Sequence, residues 1–249
     1  SGSGAGKGEY LVVEACEYDR SFLKLRPSMA AILNIETDHL DYYKDEQEIV
    51  SAFGDFSKLL GEKGYLIANA EDKNVLQIAD SLGCTCEFFS VSGKAHWQAH
   101  NLEFDKGYGN FDLTYKGEKL GRVSLGLPGE FNVANSLSVA ALCYRAGISP
   151  DSICQSLENF VGVGRRMSYK GIARGVTVMD DYAHHPTEIR VTLSAIRAAY
   201  NPTRLWCVFQ PHQHSRTRFL LDEFAVSFGR ADFVLLPDIY FVRDSQQLR

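Results

Sequence analysis

Short apolar runs closed by turn residues alternate along this chain with segments of helical period, and few folds accommodate that rhythm. The spacing predicts strands over 10–15, 29–35, 65–68 and 84–90, where apolar residues rich in β-branched and aromatic types lie between turn formers. Helices are expected over 46–60, with Ile49, Phe53, Phe56, Leu59 and Leu60 on one face, and over 72–82, with Val75, Leu76, Ile78 and Ala79. Strand alternating with helix implies a parallel sheet clothed in helices. From 96 to 125 the rhythm changes to brief alternating runs (102–104, 111–115, 122–125) separated by Gly and Lys, the pattern of a small antiparallel meander. Two helices follow, over 132–146 and 150–160, the second opening on Pro150-Asp151.

Gly162-Val163-Gly164-Arg165-Arg166 interrupts the pattern and divides the chain into regions 1–163 and 164–249. The alternation then restarts: strand 176–179, helix 186–200, strand 205–209, helix 218–228, strand 233–236. Three strands and two crossover helices make half of a doubly wound, Rossmann-like domain. The expected fold class is therefore α/β: a parallel-sheet central domain carrying a small antiparallel meander, followed by a partial doubly wound domain.

Composition narrows the function. The 249 residues carry 26 Lys plus Arg against 31 Asp plus Glu, a net charge of −5. That balance argues against nucleic acid and anionic membrane as partners, since both need a basic face. No apolar run approaches ~18 residues, so no membrane insertion is expected, and the N-terminus lacks the apolar core of a signal peptide. The expected location is cytoplasmic. The six cysteines lie in apolar surroundings and read as buried, reduced thiols; Cys84-Thr85-Cys86 is spaced too closely for a zinc knuckle or a redox pair. The opening Ser1–Gly8 stretch is no phosphate loop: Gly6-Lys7 is followed by Gly8 rather than Ser or Thr, and no strand precedes it. It reads as a flexible lead-in.

Four polar clusters fall at the carboxyl ends of expected strands, where open α/β sheets bind their ligands. They are Glu14 to Asp19, Glu36-Thr37-Asp38-His39, Asp180-Asp181-Tyr182-Ala183-His184-His185, and His212-Gln213-His214-Ser215-Arg216. Carboxylates beside an imidazole suit Mg²⁺ or Mn²⁺, because hard cations prefer oxygen. An Arg pair after a glycine turn can fork onto phosphate oxygens.

Six segments occur in a telling order: Glu14-Ala-Cys-Glu-Tyr-Asp-Arg-Ser-Phe22, Asn34-Ile-Glu-Thr-Asp-His-Leu-Asp-Tyr42, Pro128-Gly-Glu-Phe-Asn-Val-Ala-Asn135, Gly162-Val-Gly-Arg-Arg166, Asp180-Asp-Tyr-Ala-His-His-Pro-Thr-Glu188 and Phe209-Gln-Pro-His212. As a set, covering nearly the whole chain from Gly8, this resembles the Mur ligases. The resemblance implies an ATP-dependent, amide-forming ligase with Mg²⁺ (or Mn²⁺). Such an enzyme joins L-alanine to UDP-N-acetylmuramate through an acyl-phosphate in peptidoglycan precursor synthesis. It further implies that Glu14 and His39 are metal ligands, and that Asn132 and Asn135 hold the adenine. Arg166 would contact the phosphates, while Asp181 and His184 close over the nucleotide. His212 and Arg216 would approach the incoming alanine and the acyl-phosphate. Cys16, Phe131 and Gln213 depart from the family's usual Asp, His and Arg, and Gln213 removes a bidentate carboxylate clamp. The family's UDP-binding domain and its phosphate loop with Lys and Ser/Thr are not in these 249 residues.

Three alternatives stay open at this level. One is a muropeptide-recycling ligase, which adds a whole peptide to the same sugar nucleotide. Another is a zinc hydrolase using His212, His214, Asp38, His39, His184 and His185, although these are dispersed over strand ends and lack a helix-borne HExxH. The third is a non-catalytic remnant that only binds nucleotide.

Overall fold

The structure, a computed structural model, describes residues 6–79 and 82–240. Residues 1–5 of the glycine lead-in, residues 80–81 of the expected second helix, and residues 241–249 lie outside the described residues. A 3₁₀ segment, Tyr18–Lys24, precedes strand β1 (Met29–Ile32), helix α1 (Glu46–Lys58), β2 (Tyr65–Asn69), α2 (Lys73–Ala79) and β3 (Thr85–Ser90). Strands β4 (Trp97–Asp105), β5 (Tyr108–Tyr115) and β6 (Glu118–Pro128) lead to α3 (Glu130–Arg145) and α4 (Pro150–Asn159). The second half holds β7 (Ser168–Ala173), β8 (Val176–Asp180), α5 (Pro186–Tyr200), β9 (Trp206–Val208), α6 (His214–Phe219), α7 (Leu221–Ser227) and β10 (Phe233–Leu235).

The first six strands form one sheet in the order β1-β2-β3-β4-β5-β6. Strands β1 to β4 are parallel and β4 to β6 antiparallel. The expected meander is thus an extension of the parallel sheet, joined where Phe89 and Ser90 of β3 pair with Trp97 and Gln98 of β4. Its hairpins close on Lys106-Gly107 and Lys116-Gly117, all four residues at positive φ, the backbone that a two-residue turn requires between twisted strands. Leu66, Ile67, Phe111, Leu113 and Val133 are fully enclosed between this sheet and its helices. Helix α1 starts at Asp45, whose carboxylate accepts the Glu48 N–H at 3.0 Å, and turns Ile49, Val50 and Phe56 inward. Phe56 stacks on Phe22 of the 3₁₀ segment at 4.8 Å, which anchors the chain leaving the first polar cluster.

Four local expectations are corrected. Residues 10–15 form no strand, because they have no hydrogen-bonded neighbour among the described residues; Leu11 and Val12 are about nine-tenths exposed (88% and 92%). Strand β8 does not join β9; it pairs antiparallel with β7, which the sequence reading missed. The hairpin is set by Arg174 (φ 51°) and Gly175 (φ 78°), a two-residue turn with both residues left-handed. Helix 218–228 is two helices: the first begins earlier, at His214, and the break falls at Leu220 (φ −108°, ψ 25°). That break lets Leu220 and Phe224 both enter the small core with Ile189, Leu193 and Phe209. Finally, Cys16 is exposed and only Cys154 is buried, none of the six taking part in a disulfide. Strands β9 and β10 pair in parallel across α6 and α7, as the alternation implied. No described helix is long and apolar enough to cross a membrane.

Candidate functional site

Strand β1 ends at Ile32 and delivers Glu36, Thr37, Asp38 and His39 into a loop. Asn74 holds that loop by donating to the Ile35 carbonyl at 2.8 Å, and the Asp72 carboxylate accepts the Ile35 N–H. His39 itself sits at φ 54°, a conformation that a β-carbon makes costly and that tends to mark functional loops. Its Nε2 lies 3.1 Å from Glu17, and Tyr18 tilts against its ring at 5.0 Å. The His39 hydrogen bond, set against the penalty of burial, holds the Glu17 carboxyl below its ordinary range.

Asp38 is the hub. The Arg216 guanidinium, 178 residues away in sequence, donates to both its carboxylate oxygens, Nε to Oδ1 at 2.9 Å and Nη2 to Oδ2 at 3.2 Å. His184 Nε2 and His39 Nε2 each lie 3.8 Å from Oδ2. Burial alone would raise the Asp38 pKa. The neighbouring His184 imidazole and the Arg216 charge outweigh it and hold the group well below the usual carboxylate range.

Helix α5 supplies the other face. His185 caps it, its ring accepting the Thr187 N–H, while Glu188 reaches back to the His184 and His185 N–H groups at 2.8 and 3.2 Å. Capping in this manner fixes both imidazoles. His185 Nδ1 also lies 3.1 Å from Glu36, to which the protonated ring donates in place of accepting from Thr187, and its Nε2 donates to the Thr37 carbonyl at 3.2 Å. His184 is raised by Asp38 and, to a lesser degree, by Glu188. For His185, burial works downward, but the Glu36 partner prevails and the pKa is raised.

The glycine hinge lies alongside. Asp181 bridges it to β8, its carboxylate accepting the Met167 and Ala183 N–H groups, each at 2.7 Å. Arg166 is exposed and pairs with Glu188 at 3.2 Å, and Arg165 covers the Tyr182 ring at 4.5 Å. His212 tilts against the Tyr240 ring at 5.2 Å; burial and then the charges of His184, Arg216 and Arg165 push its pKa down. Gln213 is buried (6% exposed) at φ 69°, so it does not point to solvent.

Of the sequence-predicted residues, the structure brings together His39, His184, His212, Arg216 and, through Glu188, Arg166. Asn132 is at the start of α3, donating to the Pro128 carbonyl at 2.8 Å; Asn135 is half-buried one turn on. Beside them a cleft of about 400 Å³ opens between Tyr108, Pro128, Met167, Tyr169, Tyr200 and Arg166. Its size and aromatic walls fit a nucleoside base. The fit for a divalent cation is poor. Glu14 is exposed on the extended 10–15 segment, whereas His39 is engaged by Glu17. Among the described residues, no group of three or more His, Cys, Asp or Glu side chains is placed to hold a metal. Sequence reasoning missed Glu17, Glu36 and Glu188 as partners. Their signal was present only as acidic residues close to the singled-out histidines.

Comparison with known proteins places the chain in a family. Residues 4–143 match the Mur ligase middle domain, and residues 165–247 match the Mur ligase, glutamate ligase domain. A UDP-N-acetylmuramate–L-alanine ligase of Acetivibrio thermocellus is 44% identical over 241 residues, 96% of this chain and 51% of that protein. A ligase of the same name from Clostridium tetani is 45% identical over 240 residues, 96% of this chain and 52% of its own length. The crystal structure of the UDP-N-acetylmuramate-alanine ligase of Thermotoga maritima superposes with a TM-score of 0.70 at 27% identity, covering 89% of this chain and 48% of that one. A murein peptide ligase from Psychrobacter arcticus gives 0.63 at 27% identity, covering 87% and 45%. The chain spans about half the length of the curated relatives it matches. It belongs to the Mur ligase family.

Proposed function

We propose that this chain is the catalytic-core portion of an ATP-dependent ligase that joins L-alanine to UDP-N-acetylmuramate, a cytoplasmic step of peptidoglycan precursor synthesis. The observation that carries this reading is the convergence of three strand-end clusters on Asp38, with Arg216 and His184 arriving from the second half of the chain. That convergence uses both halves of the chain at once. The recycling ligase shares the architecture, but relatives at 43–45% identity bear the alanine-ligase name.

ATP would supply the γ-phosphoryl group that activates the substrate carboxylate as an acyl-phosphate; the amine of L-alanine then attacks the acyl carbon and expels phosphate. Asn132 and Asn135 would hold the adenine near the junction cleft, with Asp181 and His184 closing over the nucleotide. Arg166 is exposed and loosely paired, so it is free to turn onto phosphate oxygens. Arg216 offers a planar fork to a carboxylate or phosphate. His212, biased toward its neutral form by burial and then by neighbouring positive charge, is suited to accept a proton from the incoming ammonium group. No step is assigned to Mg²⁺ or Mn²⁺; by the resemblance, Glu14 and His39 are the residues that would hold such an ion and let it offset phosphoryl charge.

We further propose that the 249 residues alone do not turn over, since a phosphate loop must hold the β- and γ-phosphates in line. The test is phosphate release from chain, Mg²⁺, ATP, UDP-N-acetylmuramate and L-alanine. Release at the no-enzyme level is expected, and release restored when a full-length relative's N-terminal half is fused to Ser1. Failure of the fusion to release phosphate only when both substrates are present would overturn the assignment.

A further inference from the structure

Arg216 is already holding an anion, and that anion is part of the chain. Its guanidinium grips Asp38 through two parallel hydrogen bonds, the arrangement by which arginine recognises a carboxylate or phosphate ligand. The partners come from the two halves of the molecule, 178 residues apart, Asp38 from the loop after β1 and Arg216 from the first turn of α6. Each segment carries a non-glycine residue in the left-handed region beside the contact, His39 at φ 54° and Gln213, the residue before α6, at φ 69°. The crevice between them, lined by Thr37, Asp38, Gln213, Ser215 and Arg216, encloses only about 10 Å³. That is about the space of one water molecule. The Arg216 side chain is only 10% exposed. Nothing larger can reach the guanidinium while Asp38 remains in place.

We propose that Asp38 is an internal occupant of an oxyanion seat at Arg216, an autoinhibitory contact that an incoming anionic group displaces. The inference rests on the reading of Arg216 as an anion-binding residue. An occupied seat binds its ligand more weakly by the fraction of time it stands vacant, and removing the occupant recovers the difference. A purely orienting Asp38 predicts the opposite, because its loss would leave the guanidinium misplaced.

The experiment measures binding of inorganic phosphate to the 249-residue chain by calorimetry, with acetate in a parallel arm. Asp38→Asn preserves shape while removing the charge, and is expected to tighten binding by about 10-fold. Adding Arg216→Gln to that variant should abolish the gain. A gain for phosphate assigns the seat to a phosphoryl group, and a gain for acetate alone assigns it to a carboxylate; both support the proposal. No gain in Asp38→Asn, with binding weakened by Arg216→Gln alone, overturns the internal occupant and leaves Arg216 as an anion residue. Binding indifferent to Arg216→Gln in every background overturns both readings. A second measurement needs no variant. The Arg216 Nε–H resonance of the unmodified chain should shift as phosphate is added, and a resonance that stays put overturns the proposal.

Discussion

The two halves of this molecule are written in equally apolar strand sequence, and they end in opposite surroundings. In the first half β2 is enclosed on both faces, with Leu66, Ile67 and Ala68 at 0% exposure. In the second, the β9–β10 pair leaves Trp206 at 53% and Val208 at 67% exposed, although parallel strands are ordinarily covered on both sides. Strand pairing alone therefore does not make a core; coverage by helices does. The second half compensates with polar contacts across the junction, where Arg216, His184 and His185 reach the loop after β1. Stability in one region is chiefly hydrophobic and in the other partly electrostatic, and the two respond to different perturbations.

The largest effect should come from the covered sheet. Phe111→Ala removes a fully enclosed ring from β5 and is expected to cost about 3–5 kcal/mol. Phe224→Ala, in the five-residue cluster of the second half, should fall at or below the bottom of that range, because its surroundings can collapse or admit water. Urea unfolding of the two variants checks this, and equal losses would break the contrast. Next comes a strongly buried charge of the first half. Glu87 accepts from Trp97 Nε1 at 3.0 Å and Tyr115 Oη at 2.7 Å and pairs with Arg145, while its side chain is 4% exposed. Glu87→Gln leaves Arg145 without its counter-charge in a poorly hydrated place, at a cost of about 3 kcal/mol. Its unfolding midpoint should drop without loss of junction contacts, which hydrogen exchange at Thr37 and His185 would report.

The junction should respond to pH, and the signs can be worked out. Glu36 and Asp38 have lowered pKa values in the folded chain, so their contribution is present above the unfolded carboxylate range and is lost as pH falls through the folded values. His184 and His185 have raised values, so theirs is complete below the unfolded histidine pKa and is lost as pH rises through the folded ones. Closure of the two halves should therefore be firmest between roughly pH 4.5 and 6.5. Small-angle scattering and exchange rates at residues 36–39 across pH 4 to 9 test it; a flat profile would sink the electrostatic account. The smallest effect sharpens the same contrast between two helix caps. Asp45→Ala should cost about 1 kcal/mol and fray α1 alone. His185→Ala should cost a similar amount at α5 and also loosen the loop at Glu36, since the same ring serves both.

Much of this was legible in order and type. Helix α5 has the bounds that its Pro186 start and apolar spacing imply, and β2, β3 and α1 fall within two residues of expectation at either end. Three of the four polar clusters do meet around Asp38, and the fourth joins them through Glu17 at His39. The errors share a cause. Residues 10–15 have ideal strand composition and no strand partner among the described residues, β8 found β7 rather than β9, and the fracture at Leu220 follows from a core that no local window contains. Asp38 itself looked like one carboxylate among several, because its importance lies in an arginine 178 residues away.

What the sequence determined by itself is everything governed by local backbone and side-chain preference. The α/β rhythm, the helix caps at Asp45 and His185, the left-handed turns at Gly107, Gly117 and Gly175, and the position of polar clusters at strand ends all follow from a few neighbouring residues. What only the tertiary structure decided is which strands are covered, which carboxylate meets which cation, and that the Arg216 fork is already occupied. Those outcomes depend on distances between segments far apart in the chain. Local preference sets the direction in which each segment leaves its turn, but the energies that select a partner, burial and charge pairing at about 3 Å, exist only once the segments have been brought together.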